Sequence, residues 1–467
     1  MVGFRFFLAA AVLALCAVDA TGAGKNVVLV VVDDLGYDLG CYGNTAVKTP
    51  HLDRLAADGL LFTHAFCTSA SCSASRSVIL SGIYNHANGQ YGHQHAEHHF
   101  SSFARVKSLS TRLAEAGYRT ARIGKYHVAP ESVYQFDEAL PGNARNGVQM
   151  ADNCREFVSA NSEQPFFLYF CTADPHRGGG VGTGPLKPNL FGNKPEYPGV
   201  RTERFDPADV IVPPFLPATA TCRAELAHYY QSVSLLDQGI VRLIQFLKDA
   251  GHWDDTLFLF ISDNGIAFQG AKTTTYEPGL RLPCIVRNPY ATSRGVKTDA
   301  MVTWVDLAPT ILEFAGLPAS DPVLQGRSFF KVLSEPAAEG FDEIYASHTF
   351  HEITMYYPMR VARTRRYKLI WNVAHKLTYP SASDLFASAT WQEALAKGPN
   401  ARYGKRSVAE YLARPEFELY DLQADPHESN NLALQASHAE TLEQLKGKLR
   451  GFQKRTNDPW IVKWRYE

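Results

Sequence analysis

The sequence offers little that would tie it to nucleotides, nucleic acid or membranes. No G-x-G-x-x-G or Walker-type loop follows any apolar run, so nucleotide cofactors have no support. Its 46 Lys and Arg against 47 Asp and Glu leave a formal charge of -1, with no global field for polyanions or anionic lipid; an anionic substrate must be captured locally. Beyond the N-terminus no apolar run is long enough to cross a bilayer. There is no Asn-x-Ser/Thr sequon, which is unusual for a secreted or lysosomal animal protein and ordinary for a bacterial periplasmic one. Cysteine is sparse and irregularly spaced: setting aside Cys16 and Cys72, the remaining Cys41, Cys67, Cys154, Cys171, Cys222 and Cys284 show no metal-ligand pattern, and spacing fixes no disulfide pairing. Internal repeats and low-complexity segments are absent.

At the N-terminus, Arg5, an apolar run over 6–17 and small residues at Val18-Asp19-Ala20 or Thr21-Gly22-Ala23 read as a signal peptide over 1–23. A membrane anchor or buried helix is the alternative, and Leu15 before Cys16 fits a lipoprotein site poorly. Export to the bacterial periplasm or extracellular space follows, or to the lysosome in a eukaryote. The 467 residues, 45% apolar and 12% aromatic, suffice for a large core over 24–340 and a smaller one over 341–467.

Residues 27–32 form a continuous apolar run, the pattern of a strand buried on both faces of a parallel sheet, with Asp33-Asp34 at its end. A short helix follows: Thr49-Pro50 open it, Leu52, Leu55 and Ala56 are its apolar stripe, and Gly59 ends it. A helix over 109–116 leads into a strand over 119–123, then Lys125 and His127. A strand over 165–171 precedes Asp174-Pro175-His176. From 224 to 250 the spacing of Leu226, Tyr229, Val233, Leu236, Ile240, Leu243 and Leu247 marks a long amphipathic helix, followed by a strand over 257–261 and then Asp263-Asn264. Residues 178–198 read as a Gly- and Pro-rich surface loop. Past about 340 come short strands at 359–362, 367–371 and 418–422 and a helix over 438–454, a small α+β unit.

Four polar clusters thus stand just beyond strand ends, where open α/β sheets bind ligands. Helix capping explains one such cluster, not four. Adjacent Asp33-Asp34 and distant Asp263-Asn264 imply a compensating cation. An all-oxygen set suits Ca²⁺ or Mg²⁺ rather than Zn²⁺. Taken alone, Cys72 is a small buried hydrophobe, Arg76, Lys125 and Lys272 are surface charges, and His127 and His176 are structural histidines.

With Cys72-Ser73-Ala74-Ser75-Arg76, Gly124-Lys125-Tyr126-His127 and Ser262-Asp263-Asn264-Gly265 in view, the chain resembles the type I, formylglycine-dependent sulfatases over nearly its whole mature length. Residues 418–432 are similar to that family's closing pattern. Residues 88–100, 124–137 and 351–360 are most similar to its sulfamidase branch, which removes the N-sulfate of N-sulfoglucosamine in heparan sulfate. The resemblance implies an alkaline-phosphatase-like α/β fold, a large mixed sheet flanked by helices, with a smaller C-terminal α+β domain containing an antiparallel sheet. It also implies a homodimer, a sulfated saccharide substrate and a formylglycine-generating enzyme as maturation partner.

By the same resemblance Cys72 is oxidised to formylglycine, whose hydrated diol is the nucleophile, and one Ca²⁺ is held by Asp33, Asp34, Asp263, Asn264 and residue 72. Arg76 and Lys125 stabilise the diol, Asp263 takes its proton, and His176 protonates the leaving nitrogen. Lys272 binds sulfate oxygens and His127 deprotonates the sulfated diol so that sulfate leaves. The sequence departs from the pattern at Ala74, where the family usually has Pro, and at Lys272, where the branch has Arg. The histidine-rich stretch at 93–99 lacks a closed metal set and reads as pocket lining, with His98, His99, His351 and Glu352 as sugar contacts. The rivals are an exo-O-sulfatase acting on a sugar such as glucosamine 6-sulfate, a phosphodiesterase or phosphonate hydrolase, and a silent sugar-binding relative with Cys72 unconverted.

Overall fold

The structure, a computed structural model, describes residues 25–160, 163–178, 191 and 197–466. The segment read as a signal peptide and most of the loop over 178–198 lie outside the described residues.

A nine-stranded mixed sheet forms the larger part. Its strands are β1 (Asn26–Val32), β2 (Leu60–Phe66), β3 (Arg119–Gly124), β4 (Glu138–Leu140), β5 (Phe166–Cys171), β6 (Thr256–Ser262), β7 (Arg281–Arg287), β8 (Val296–Thr298) and β9 (Val302–Thr303). They run in the order β4-β3-β5-β1-β6-β7-β2-β8, with β9 also paired to β2. From β4 to β6 every neighbouring pair is parallel, whereas β7 is antiparallel to both β6 and β2. The apolar run at 27–32 is unbroken because β1 is covered on both faces. Val28, Val30 and Val32 enter one core and Val27, Leu29 and Val31 the other, as strand alternation requires.

The long helix is Ala220–Asp249, and all seven residues of the expected stripe enter the core on the Val28 side. It starts earlier than the apolar spacing predicts because Thr219 caps it, accepting from the Cys222 amide at 3.3 Å. Thr49 also precedes its helix, Pro50–Ala57, yet its hydroxyl accepts from the Gly40 amide at 2.9 Å instead of capping. In the C-terminal part, Glu343–His348, Met359–Thr364, Tyr367–Asn372 and Phe417–Asp421 form an antiparallel sheet in that order. Ile344, Val361 and Ile370 join the core on the Val27 side, and Leu369, Trp371 and Leu419 pack against Leu445, Leu449 and Phe452 of helix Ala439–Arg455.

The strands that precede the four polar clusters are β3, β5, β1 and β6, and these are consecutive, parallel neighbours. Their C-terminal ends therefore share one edge. Pairing of Val32 with Ser262 sets Asp33 beside Asp263, and pairing of Gly124 with Cys171 sets Lys125 beside the turn that leads to His176. At Gly124 the backbone has φ of 82°, and a Cβ would stand 2.0 Å from the Cys171 carbonyl oxygen, so only glycine lets the chain turn into Lys125 there.

Candidate active site

Helix Cys72–Ser81 begins at the sheet edge with Cys72 as its first residue, and all ten of its residues are buried. Such burial demands small side chains whose hydroxyls find partners. Ser75 Oγ donates to the Asp263 carbonyl at 2.6 Å, Ser77 Oγ to the Ala74 carbonyl at 2.7 Å, and Ser71 Oγ is 2.9 Å from His351 Nδ1. Cys72 Sγ lies 3.7 Å from Asp34 Oδ1 and 3.6 Å from Asn264 Nδ2. Asp34 itself sits in the left-handed region at φ 60°, pinned by its amide, which donates to Asp263 Oδ1 at 3.1 Å.

The surface-charge readings fail. Arg76 is fully buried; its Nε donates to Asp263 Oδ2 at 2.9 Å and its Nη2 to Asp33 Oδ1 at 3.4 Å. Lys125 Nζ pairs with Asp33 Oδ2. Lys272, 1% exposed, reaches Asp34 Oδ2 at 3.0 Å, Asp384 Oδ2 at 2.8 Å and His176 Nδ1 at 3.2 Å. His176 Nδ1 is also 2.5 Å from Asp34 Oδ2, which leaves Nε2 as its nitrogen available for chemistry. Asp384 stands in helix Ser383–Phe386 of the C-terminal part, and nothing in its local sequence marks it.

Electrostatics at the edge follow from burial with too many carboxylates. Burial, then the charge of Asp33, pushes the Asp263 carboxyl up. Burial also opposes the charged form of Asp33, yet Lys125, His176 and Arg76 together hold it well below the usual range. Burial drives the Cys72 thiol well above its ordinary value, outweighing Lys125 and Lys272, so residue 72 in its unmodified form is a protonated thiol. For Lys272 burial is outweighed by Asp34 and Asp384, and the ammonium stays charged. His93, His127 and His351 are pushed well below the usual imidazole range, chiefly by burial, and are neutral at pH 7.

Above this edge opens a cavity of about 320 Å³. Of the residues singled out in the sequence, Cys72, Lys125, His127, His176, Lys272, His98, His351 and Glu352 line it. His99 does not: it is exposed, and left-handed backbone at φ 52° ends the Ala96–His98 turn there. Both ring nitrogens of His351 are engaged, by Ser71 Oγ and by His93 Nε2 at 2.9 Å, which makes it a wall. Glu352 Oε1 accepts from the Ser383 amide at 2.8 Å and hydroxyl at 2.6 Å. Sequence reasoning missed Asp384 and Ser383 in the lining.

A hard divalent cation fits this site. Ligand atoms of Asp33, Asp34 and Cys72 lie within 4.8 Å of one another, and Asn264 Oδ1 beside them is buried with no partner among the described residues, an acceptor left over. Charge agrees in sign: the carboxyls of Asp33, Asp34, Asp263 and Asp384 outnumber the cations Arg76, Lys125 and Lys272, and this surplus adds to burial in opposing ionisation of Asp263.

Comparison with known proteins places the chain in a family. A sulfatase family model matches residues 25–317, and a model for the C-terminal part of N-sulphoglucosamine sulphohydrolase matches 270–382. The chain belongs to the sulfatase family. Within it the chain is 39% identical to N-sulphoglucosamine sulphohydrolase of Homo sapiens, over 94% of this chain and 91% of that protein. It is 29% identical to an ulvan-active sulfatase of Formosa agariphila, over 91% of this chain and 79% of that one. The fold is shared with a solved structure holding its substrate D-glucosamine-2-N,6-O-disulfate (TM-score 0.67, 22% identity, 93% of this chain and 99% of that one). It is shared equally with a phosphonate monoester hydrolase of Agrobacterium radiobacter (TM-score 0.68, 19% identity, 92% and 96%), so fold alone does not select the substrate.

Proposed function

We propose that the protein hydrolyses the N-linked sulfate of N-sulfoglucosamine at the non-reducing end of saccharides derived from heparan sulfate and heparin. What carries the reading is likeness to the human N-sulphoglucosamine sulphohydrolase along both the Cys72 half and the part that brings Glu352 and Asp384 to the cavity. We read residues 24–340 as the catalytic unit and 341–467 as the C-terminal one.

Cys72 is the precursor of a formylglycine whose hydrate would supply the nucleophilic oxygen, and Asp33, Asp34, Asp263, Asn264 and residue 72 would hold a Ca²⁺, which would supply Lewis-acid stabilisation of the sulfate charge. The rest is the work of side chains. Arg76 bridges Asp33 and Asp263, and Lys125 holds positive charge beside residue 72. Asp263, made basic by burial, accepts the proton given up there. His176, oriented by Asp34 through Nδ1, gives a proton from Nε2 to the glucosamine nitrogen as the N–S bond breaks. Lys272 takes the sulfate oxygens; held by Asp34 and Asp384, it is a fixed point charge where an arginine would offer a fork. His127, whose ring lines the cavity beside Lys125 and residue 72, accepts a proton in the step that frees sulfate.

Export remains our reading of residues 1–23; among the described residues no helix is long and apolar enough to cross a membrane. Maturation needs a formylglycine-generating enzyme that accepts Ala74, and the homodimer rests on family resemblance. The test is sulfate and glucosamine release from N-sulfoglucosamine beside glucosamine 6-sulfate, using protein matured with that enzyme and a Cys72→Ala control. Release from the N-sulfo sugar alone, abolished in the control, supports the proposal. Release only from the 6-sulfate overturns the substrate.

A further inference from the structure

Beside the oxygen-rich edge the same cavity carries a second set of donors of a different kind. His93 and His95 come from the segment before β3, His127 from the turn after it, and each offers a ring nitrogen within 4.8 Å of the others. Their ring centroids are 4.7 to 4.8 Å apart. His95 Nδ1 lies 2.6 Å from His127 Nε2, a spacing at which two neutral imidazoles share one proton. No spacing rule within 93–99 finds this set, because its third member stands 32 residues beyond His95. The fold assembles it.

We propose that His93, His95 and His127 form a second metal site, for a borderline transition ion such as Zn²⁺, and that filling it blocks the cavity. Three nitrogens and an open fourth position match what such an ion accepts once His93 exchanges its Nε2 contact with His351 for the ion, whereas the neighbouring carboxylate and amide oxygens suit a hard ion, so the two sites sort metals by donor chemistry. Zn–N bonds of about 2.0–2.1 Å put tetrahedral ligand atoms roughly 3.3 Å apart, wider than the present pair. His95 can give way, since it is exposed while His93 is buried. A single ion would replace the shared proton and engage the ring of His127. The blocking consequence rests on the function proposed above, because His127 is the residue assigned to freeing sulfate. The metal site itself does not.

The test therefore reads the metal directly. Full-length protein is saturated with Ca²⁺ to fill the oxygen site and then titrated with Co²⁺, whose visible absorption reports a nitrogen-ligated, low-coordinate ion. One equivalent should bind with that band, Zn²⁺ should displace it, and His95→Gln and His127→Gln should each weaken binding by about tenfold or more. His95, being exposed, can be replaced without disturbing the core. Absence of the band, or an affinity unchanged in both variants, overturns the site. In the activity arm, Zn²⁺ should suppress sulfate release from N-sulfoglucosamine and His95→Gln should relieve the suppression. Zn²⁺ bound without inhibition would overturn the blocking role. A protein inactive on that sugar would still answer through the Co²⁺ band, which separates failure of this inference from failure of the proposed function.

Discussion

Two buried arginine–aspartate systems in this molecule are built from the same chemistry and end in opposite states. Arg360 meets Asp458 through Nε at 2.6 Å and Nη2 at 2.9 Å, both side chains fully buried. Asp458 also accepts from Gln453 Nε2 and the Trp460 amide, and Arg360 Nη1 donates to the carbonyls of His348 and Met359. Burial opposes the Asp458 charge, yet Arg360 holds its carboxyl well below the usual range. At the sheet edge Arg76 is equally buried but shared between Asp33 and Asp263, while Asp34 crowds Asp263, Asn264 Oδ1 has no partner among the described residues and the Asp263 carboxyl is pushed up. A buried charge system whose groups are all satisfied locks two segments together; one left with surplus acceptors is finished by something that binds.

The sharpest way to break the comparison is Cys72→Ala. If the unfinished cluster serves residue 72, sulfate release falls by about a thousandfold or more with the fold intact, as loss of a nucleophile does. Removing one partner from the finished pair does the reverse. Arg360→Met leaves Asp458 charged and buried, and should cost about 3–5 kcal/mol in denaturant unfolding while the turnover of folded molecules is unchanged. Next in size is metal removal: stripping Ca²⁺ should forfeit about 2.7 kcal/mol relative to protein held at a hundred times its dissociation constant. Asp33→Asn should abolish that increment, whereas Arg360→Met should keep it.

The remaining effect is in pH. His86, bonded to Ser347 Oγ and Thr456 Oγ1 beside the finished pair, is pushed down to about 3 by burial. Its folded value lies below that of the unfolded chain, so the unfolded state binds more protons between them. The stabilising difference is present above about pH 6.5 and is lost as pH falls towards 3, with a slope of at most about 1.4 kcal/mol per pH unit. His86→Gln should flatten the stability profile in that window, measured against wild type by unfolding at each pH.

The legible parts of this fold are those where local pattern and burial agree. β1, β5 and β6 are continuous apolar runs because they are covered on both faces, and the helix stripe from Leu226 to Leu247 is regular because one face meets a sheet. β2 and β7 were not legible: Thr63 and His64 interrupt the first, and Arg281 and Pro283 the second. Helix Cys72–Ser81 carries no amphipathic signal, since it is buried all round and serines replace the usual apolar residues. Of the site, the carboxylates were legible from mutual repulsion, but Lys125 and Lys272 only through family resemblance, because a lysine in sequence is a surface charge until its partners are known. Asp384 and the union of His127 with His93 and His95 depend on segments far apart in the chain.

The measurement that bears most directly on the account is a calorimetric Ca²⁺ titration of metal-stripped protein beside Asn264→Ala. The account predicts one site, weakened by about tenfold or more when the partnerless amide oxygen is removed. An isotherm with no binding, or one that Asn264→Ala leaves unchanged, would contradict the claim that this buried cluster is finished by a cation.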